Sequence, residues 1–474
     1  MLPWDIRECS FVLNFEIRSL EFIWDLYIGA WNLLCHIIFE KPATFCLSMQ
    51  SKLRTVRIDS HSTLWHIEET FTYPISRSLN LPAAKVNTMD NKVYIVQCAD
   101  YAETDIKVKS LIDLMGGMER FATQGEKIVL KVNLLREARP EEAVCTHPAV
   151  AAAVGTLVKK EGAQAVIADS PGGGFRYTEK TLDKIYRTSG MHRAAQQTGI
   201  MLNRDTTARP ASHAEGMLTK HFDIITPVYE ASAVFNLCKM KTHLFTMMTG
   251  AVKNIFGVIP GLSKPGYHAK LQDPKRFAGM LLDLAQYISP RLSIMDAVVA
   301  MEGNGPGTGD PRQVGLLIGS ASPLALDVVA AEIMGIDREQ NSIIMEAEQR
   351  GLHPNRIEDI EVIGADLSAV KVPDFKRPQV APGNFGLDPM PWHQQLLQPY
   401  FKSAYTVRPK VIWDRCIACG TCIEGCPMEA ISFVNEKAFI DDDKCIRCYC
   451  CHELCPEEAI GLHRSWLYQL LNPA

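Results

Sequence analysis

From Met89 onward, short apolar runs alternate with helix-like stretches. "KIVLKVNLL" (Lys127–Leu135) is a continuous apolar run, the pattern of a strand buried on both faces. "THPAVAAAVGTLVKKEGA" predicts a helix capped by Thr146 or His147, with Pro148 in its first turn and Gly162 at its end. "QAVIADSPGGG" predicts a strand entering a glycine-rich loop, and "TEKTLDKIYRTSG" a helix opened by Thr178. "ASAVFNLCKMKTH" predicts a strand leaving into a basic loop, and "RLSIMDAVVAMEGNGPGTGD" a strand followed by a glycine-rich turn. "VGLLIGSASPLALDVVAAEIMGID" reads as strand, turn and helix, and "IEDIEVIGADL" closes the series. Strands separated by helices imply right-handed crossovers. The expected fold is therefore α/β, a mostly parallel sheet covered by helices.

The pattern breaks on both sides of this region. Residues 1–88 hold one glycine (Gly29) of the chain's 31 and four of its seven tryptophans, Trp4, Trp24, Trp31 and Trp65. They read as an atypical N-terminal extension, poorly ordered or preceding a biological start at Met89; the alternative is a helical N-terminal region. Within them, Phe22–Phe39 has the length of a membrane span but includes Asp25, Asn32 and His36. A charge at a bilayer centre costs roughly 2.5–3.5 kcal/mol on insertion scales, so no span is expected. Residues 367–410 carry Pro373, Pro378, Pro382, Pro389, Pro391, Pro399 and Pro409. Proline removes donors and breaks regular elements, so this stretch reads as an extended linker, pinned to a surface by Trp392, Phe401 and Tyr405. The expected domains are thus 1–88, 89–366, the linker 367–410, and 411–474.

Composition narrows the class. At 474 residues two or three domains are expected. Hydrophobic content of 47% and charged content of 22% suit an ordinary globular protein. A net charge of −5 without a basic stripe gives no sign of a nucleic-acid partner. Nine of the fifteen cysteines fall in the last sixty residues, at metal-ligand spacing. That usage points to a reducing, cytoplasmic compartment where thiols stay free to bind metal.

Those cysteines form an internal repeat. "DRCIACGTCIEGCPMEAI" (Asp414–Ile431) aligns without gaps on "DKCIRCYCCHELCPEEAI" (Asp443–Ile460), matching at eleven of eighteen positions. Each half reads C-x2-C-x2-C, then x3 and Cys-Pro, the bacterial run for 4Fe-4S centres in which the fourth cysteine ligates the other cluster. One cluster is expected on Cys416, Cys419, Cys422 and Cys455, the other on Cys445, Cys448, Cys451 and Cys426. Pro427 and Pro456 turn the chain after the remote ligands. Gly420 allows backbone to approach sulfur, and Tyr449 stands at the matching place. Paired C-x2-C also builds zinc ribbons, but eight ligands in this crossed order, twice followed by proline, specify iron–sulfur. Cys450 aligns with Thr421 and reads as a small filler beside the cluster. "ISFVNEKAFIDDDK" predicts a hairpin turning at Asn435-Glu436-Lys437, and Asp441, Asp442 and Asp443 offer either a negative docking face or a solvated loop.

In parallel sheets, ligands sit beyond the carboxyl ends of the strands. Asn133, Asp169, Lys239, Lys241, His243, Lys253, Asn254 and Asp296 fall there. Cations among glycine loops suit an anionic ligand. "SPGGG" lacks the lysine-hydroxyl pair of a phosphate loop and the spaced glycines of a dinucleotide site. A positive-φ turn, a loop histidine bonded to backbone and a solvated lysine edge are the plain alternatives.

The last ~65 residues resemble bacterial two-cluster ferredoxins, through all eight cysteines and both Cys-Pro pairs. The body resembles the domain-of-unknown-function family numbered 362, through "KVNLL", "THPAVAAAV", "ADSPGGG", "NLCKMKTH", "GAVKNIFGVIPG" and "SPLALDVVAAEIMG". The resemblance implies two 4Fe-4S clusters and electron transfer, and no particular reaction. Three functions follow as expectations: an electron carrier that docks a redox partner protein, a reductase of a small anionic substrate held by the body, and a cluster-sensing regulatory or assembly protein.

Overall fold

The computed structural model describes residues 91–172, 175–378 and 407–463. The 1–88 extension, the Phe22–Phe39 stretch, Gly173 and Gly174, and Trp392, Phe401 and Tyr405 of the linker lie outside these residues.

The body is built on strands β1 (Lys92–Gln97), β2 (Lys127–Lys131), β3 (Gln164–Ala168) and β4 (Met201–Leu202), a separate hairpin β5 (Ala208–Ser212) and β6 (His221–Ile225), then β7 (Ala233–His243), β8 (Met247–Met248), β9 (Leu292–Glu302), β10 (Asp310–Ser320) and β11 (Glu361–Gly364). One sheet takes them in the order β11-β1-β10-β9-β7-β2-β3-β4, with β8 paired to β7. Every neighbour along that path is parallel except where β10 meets β1 and β9. The reason is the connection. Glu302 and Asp310 are joined by "GNGPGTG", far too short for the crossover that a parallel pair needs. The sheet is therefore mostly parallel with one reversed strand inside it.

Both faces are covered, as near-continuous apolar strands require. On one side the helices Thr104–Leu114, Pro148–Lys160 and Glu179–Thr188 pack with Leu111, Val154 and Ile185 onto Ile128, Leu130 and Phe235. On the other, Phe277 and Leu281 of helix Pro274–Ile288 meet Val129 and Val234, and Leu326 and Val329 of helix Pro323–Ile333 meet Met240 and Met295. Helix Pro148–Lys160 is capped by His147, whose Nδ1 accepts from Ala149 N at 3.2 Å, and Thr178 Oγ1 caps the next by accepting from Thr181 N.

The structure corrects two boundaries. The basic "KMKTH" is not a loop: β7 runs on to His243, because its pairing with β9 resumes at Lys241 and Met301 after a bulge, and β8 pairs with Thr242 and His243. The ends of the 367–410 linker are also folded. Val370 and Phe375 are buried in the body, and β12 (Arg408–Val411) belongs to the C-terminal domain.

That domain holds two small antiparallel pairs, β12 with β15 (Ile460–His463) and β13 (Ile431–Val434) with β14 (Lys437–Ile440). Asn435 and Glu436, at φ 48° and 58°, make the two-residue turn of the second, a conformation that matches strand twist. Lys437 already lies in β14. Leu244, which follows β7, is fully buried with Val407 and Tyr449, so a body side chain helps form the seam between the two domains.

Candidate functional site

The internal repeat is repeated in backbone geometry. Ala418 and Arg447, Gly420 and Tyr449, and Glu429 and Glu458 all take positive φ, at positions 29 residues apart. Ala430 N donates to Cys426 Sγ at 3.3 Å and Ala459 N to Cys455 Sγ at 3.1 Å, again in matching places. Tyr449 adopts the left-handed conformation that glycine supplies in the other half. Its buried hydroxyl, donating to Val407 O at 2.9 Å, anchors it there.

Two cavities result. One, with about 310 Å³ of atom-free space, is lined by Cys416, Cys419, Cys422 and Cys455. The other, with about 340 Å³, is lined by Cys426, Cys445, Cys448, Cys450 and Cys451. The remote cysteine of each repeat thus stands at the other repeat's cavity. No group of three or more His, Cys, Asp or Glu among the described residues is placed to hold a single metal ion. The four expected thiols at each cavity, with Cys450 a fifth at the second, and an N–H aimed at the remote sulfur fit a 4Fe-4S cluster in each. Burial and neighbouring sulfurs raise the Cys422 thiol to about 11 and push Cys451 well up. A cationic cluster reverses that by deprotonating its ligands outright.

The aspartates between the repeats are internally engaged. Asp442 pairs with Arg408, Asp441 accepts from Asp443 N at 3.0 Å, and Lys444 lies 3.7 Å from Asp441.

The second site is a cleft at the carboxyl ends of β2, β3 and β7, with about 590 Å³ of atom-free space that is partly open to solvent. It gathers six of the eight expected residues: Asn133, Asp169, Lys241, His243, Lys253 and Asn254. Lys239 and Asp296 are not among them. They form their own fully buried ion pair at 2.8 Å, completed by Tyr101 OH, which donates to Asp296 Oδ1 at 2.9 Å and accepts from Lys239 at 3.0 Å. The bulge between Lys239 and Lys241 separates the two environments.

Four cleft residues carry no sequence motif of a ligand site: Lys131, Lys264, His268 and Glu453. Lys131 ends β2 and lies 2.8 Å from Asp169 Oδ1, while Leu134 N donates to Asp169 Oδ2 at 2.6 Å. Burial pushes the Asp169 carboxyl up, against the pull of Lys131 and Lys264. The backbone of the short 3-10 helix Ile255–Val258 crosses this pair at Gly257, where a Cβ would lie 2.1 Å from Asp169 Oδ1 and 2.5 Å from Lys131 Nζ. Only glycine permits that approach.

The amides are structural parts of the cleft. Lys241 Nζ donates to Asn133 Oδ1 at 2.8 Å, Asn133 Nδ2 to Asn254 Oδ1 at 2.8 Å, and Asn254 Nδ2 to Asn236 Oδ1 at 2.7 Å. This relay fixes Lys241, which also donates to Val144 O at 2.7 Å. Burial brings Lys241 down to about 7, and Lys264, which donates to Ser170 O at 2.8 Å and Pro171 O at 2.5 Å, to about 7 as well. Lys253 sits over the Phe256 and Phe277 rings at 5.5 and 5.4 Å. Its short helix, Gly250–Asn254, is held by Asp327, which accepts from Ala251 N and, at 2.9 Å, from Val252 N. Burial raises Asp327 to about 7 against those two donors.

His243 is neutral, pushed well down by burial and the nearby Lys253. Its Nδ1 accepts from Phe245 N at 3.0 Å, so its proton is on Nε2, 3.4 Å from Glu453 Oε1. Glu453 comes from the C-terminal domain, on helix Cys450–Leu454, and burial raises it to about 7 against Lys253 and Lys241. Cys450, the first residue of that helix, lines both the cleft and the second four-cysteine cavity.

Fold and sites together define an iron–sulfur protein: an α/β body whose cleft is lined in part by Cys450 and Glu453 of the C-terminal dicluster domain. Residues 128–332 match the Domain of unknown function (DUF362), and residues 408–456 match the 4Fe-4S dicluster domain. Over 300 residues the chain is 34% identical to the thylakoid-associated protein sll1697 of Synechocystis sp., covering 63% of this chain and 89% of that protein. The chain belongs to the DUF362 family. Among solved structures, the lactate racemase apoprotein from Thermoanaerobacterium thermosaccharolyticum aligns at 12% identity and a TM-score of 0.34, over 52% of this chain and 58% of that one. The dicluster match carries an iron–sulfur electron-transfer role. Among the described residues no helix is long and apolar enough to cross a membrane.

Proposed function

We propose that the chain exchanges electrons between a docked redox protein and a small anionic substrate held in the cationic cleft. It would act as a reductase whose two-cluster domain faces the substrate, in a reducing compartment such as the cytoplasm. One observation carries this reading: Cys450 forms a wall common to the cleft and the cavity of Cys426, Cys445, Cys448 and Cys451. A pair of 4Fe-4S clusters, when bound, supplies one-electron transfer at each cube.

The chain's own residues divide the remaining work. Lys253 and Lys264 attract and orient the anion. His243 Nε2–H, 3.4 Å from Glu453, offers a neutral hydrogen-bond donor in the cleft.

A second reading, the simple carrier, draws on the exposed surface of the C-terminal domain. Cys419 is exposed there, and Trp413, Ile417 and Phe433 are 46%, 61% and 50% exposed. An apolar rim beside an exposed ligand suits a one-electron redox protein, and serves both readings as the docking face.

The test uses anaerobic holoprotein, photoreduced and mixed with a panel of small carboxylates and phosphate esters. The reductase reading expects at least one of them to reoxidise it, with the rate lost in Lys253→Met. If none does, while a one-electron acceptor protein reoxidises wild type and Lys253→Met equally, the carrier reading replaces it.

A further inference from the structure

The cleft's charges do not balance. Four amines line it, those of Lys131, Lys241, Lys253 and Lys264, against the carboxyls of Asp169 and Glu453. Lys131 is taken by Asp169 at 2.8 Å. The Nζ atoms of Lys241 and Lys264 bond only neutral oxygens among the described residues, those of Asn133, Val144, Ser170 and Pro171. Lys253 rests on two aromatic faces. Three buried amines therefore share the one remaining carboxyl, Glu453, and buried charge is costly unless paired.

A second observation is independent of charge. Among the described residues, Ser170 Oγ, Thr249 Oγ1 and His268 Nδ1 are buried and have no hydrogen-bond partner, and all three residues line this cleft. Ser170, Thr249 and His268 are 2%, 4% and 5% exposed, so bulk water does not satisfy them. Unpartnered buried polar atoms are few in native proteins, and three around one cleft call for a ligand.

We propose that the cleft binds a small dianion, such as a dicarboxylate or a doubly charged oxyanion. Its two charges balance the excess of amines at Lys241, Lys253 and Lys264, and its oxygens meet Ser170, Thr249 and His268. This deepens the reading of the cleft as the substrate seat and rests on that reading for its biological meaning. Glu453 reaches the cleft from the C-terminal domain, and its carboxyl offsets one of the three amine charges, leaving two for the dianion.

The experiment measures binding to oxidised holoprotein by calorimetry, with sulfate and succinate as probes and acetate and chloride at matched ionic strength as controls. Saturable binding of sulfate or succinate, at least tenfold tighter than acetate, is expected. Lys253→Met and the near-isosteric Thr249→Val should each weaken it about tenfold or more, with the visible cluster absorbance retained. Acetate binding as tightly as succinate, no saturable binding of either dianion, or unchanged affinity in Thr249→Val overturns the assignment. Because no reductant is present, dianion binding without any reoxidation of reduced protein would sink the reductase reading alone. Reoxidation by a monoanion without dianion selectivity would sink the charge assignment alone.

Discussion

Glu453 Oε1 lies 3.4 Å from His243 Nε2, and this contact joins the two-cluster domain to the end of β7 inside the cleft. A second contact supports it one residue away, where His452 Nε2 meets Thr308 Oγ1 at 2.8 Å. The carboxyl of Glu453 opposes an incoming anion while leaving the seam of Leu244, Val407 and Tyr449 untouched. Glu453→Gln should therefore tighten sulfate binding, on the order of tenfold for one charge removed at short range in a poorly solvated site. Iron content should stay at the wild-type level. Calorimetry and iron analysis check both halves, and weaker binding would show that Glu453 holds the ligand rather than opposing it.

The crossing of the repeats makes a prediction that sequence proximity would reverse. Cys455 belongs to the second repeat but lines the cavity of Cys416, Cys419 and Cys422. Cys455→Ser should perturb the cluster of the first repeat, and Cys426→Ser that of the second. Each should lose about half of the iron and acid-labile sulfide. Cys450→Ala should keep all of it. Loss of iron in Cys450→Ala would make the ninth thiol a ligand.

Much of this architecture was legible because its signals are local. The cysteine spacing, the caps at His147 and Thr178, and the alternation of strands and helices are all carried within a few residues. What stayed hidden depends on partners far away in the chain. Lys131 sits in "KIVLK" as a lone charge in an apolar run, and its meaning appears only when Asp169 arrives from β3. Asp327 is equally lone in "PLALDVV", and its role is to hold the helix of Lys253 from 75 residues away. Such a charge, once buried, must find a partner, which was the available clue to both. Strand-end position groups Lys239 and Asp296 with the ligand site, because it does not reveal the bulge between Lys239 and Lys241. Glu453 was masked by the cysteine motif around it.

Gly257 gives a steric test of the Lys131–Asp169 pair. A Cβ there would overlap Asp169 Oδ1 at 2.1 Å and Lys131 Nζ at 2.5 Å, so the buried ion pair would have to shift. Gly257→Ala should cost roughly 1–3 kcal/mol by forcing a packed region apart. Gly266, in helix Lys264–Lys270, has nothing within 4 Å of its would-be Cβ and provides the control. Gly266→Ala should be neutral or slightly stabilising. Denaturant midpoints of the two variants decide the matter, and equal midpoints would remove the steric account.

The cleft amines also fix how ligand binding responds to pH. Lys241 and Lys264 are brought down to about 7, chiefly by burial. Lys241 faces Cys145, Glu453, Lys253 and Lys239, and Lys264 faces Asp169, Lys131 and Lys253. In the unfolded chain both amines return to the ordinary value of 10.5. Between about 7 and 10.5 the unfolded chain therefore binds more protons than the folded one, so ligand-free stability rises with pH across that window. Below about 7 both states are protonated and the cost of the buried charges is felt in full. A dianion reverses this by holding the amines protonated, so its binding takes up protons above about pH 7 and weakens as pH rises. Sulfate keeps its charge throughout this range. The melting temperature gained from sulfate should be greatest at or below about pH 7 and largely gone by about pH 9. Melting curves with and without sulfate across that range check the sign, and an equal gain at both ends would show that Lys241 and Lys264 do not hold the anion.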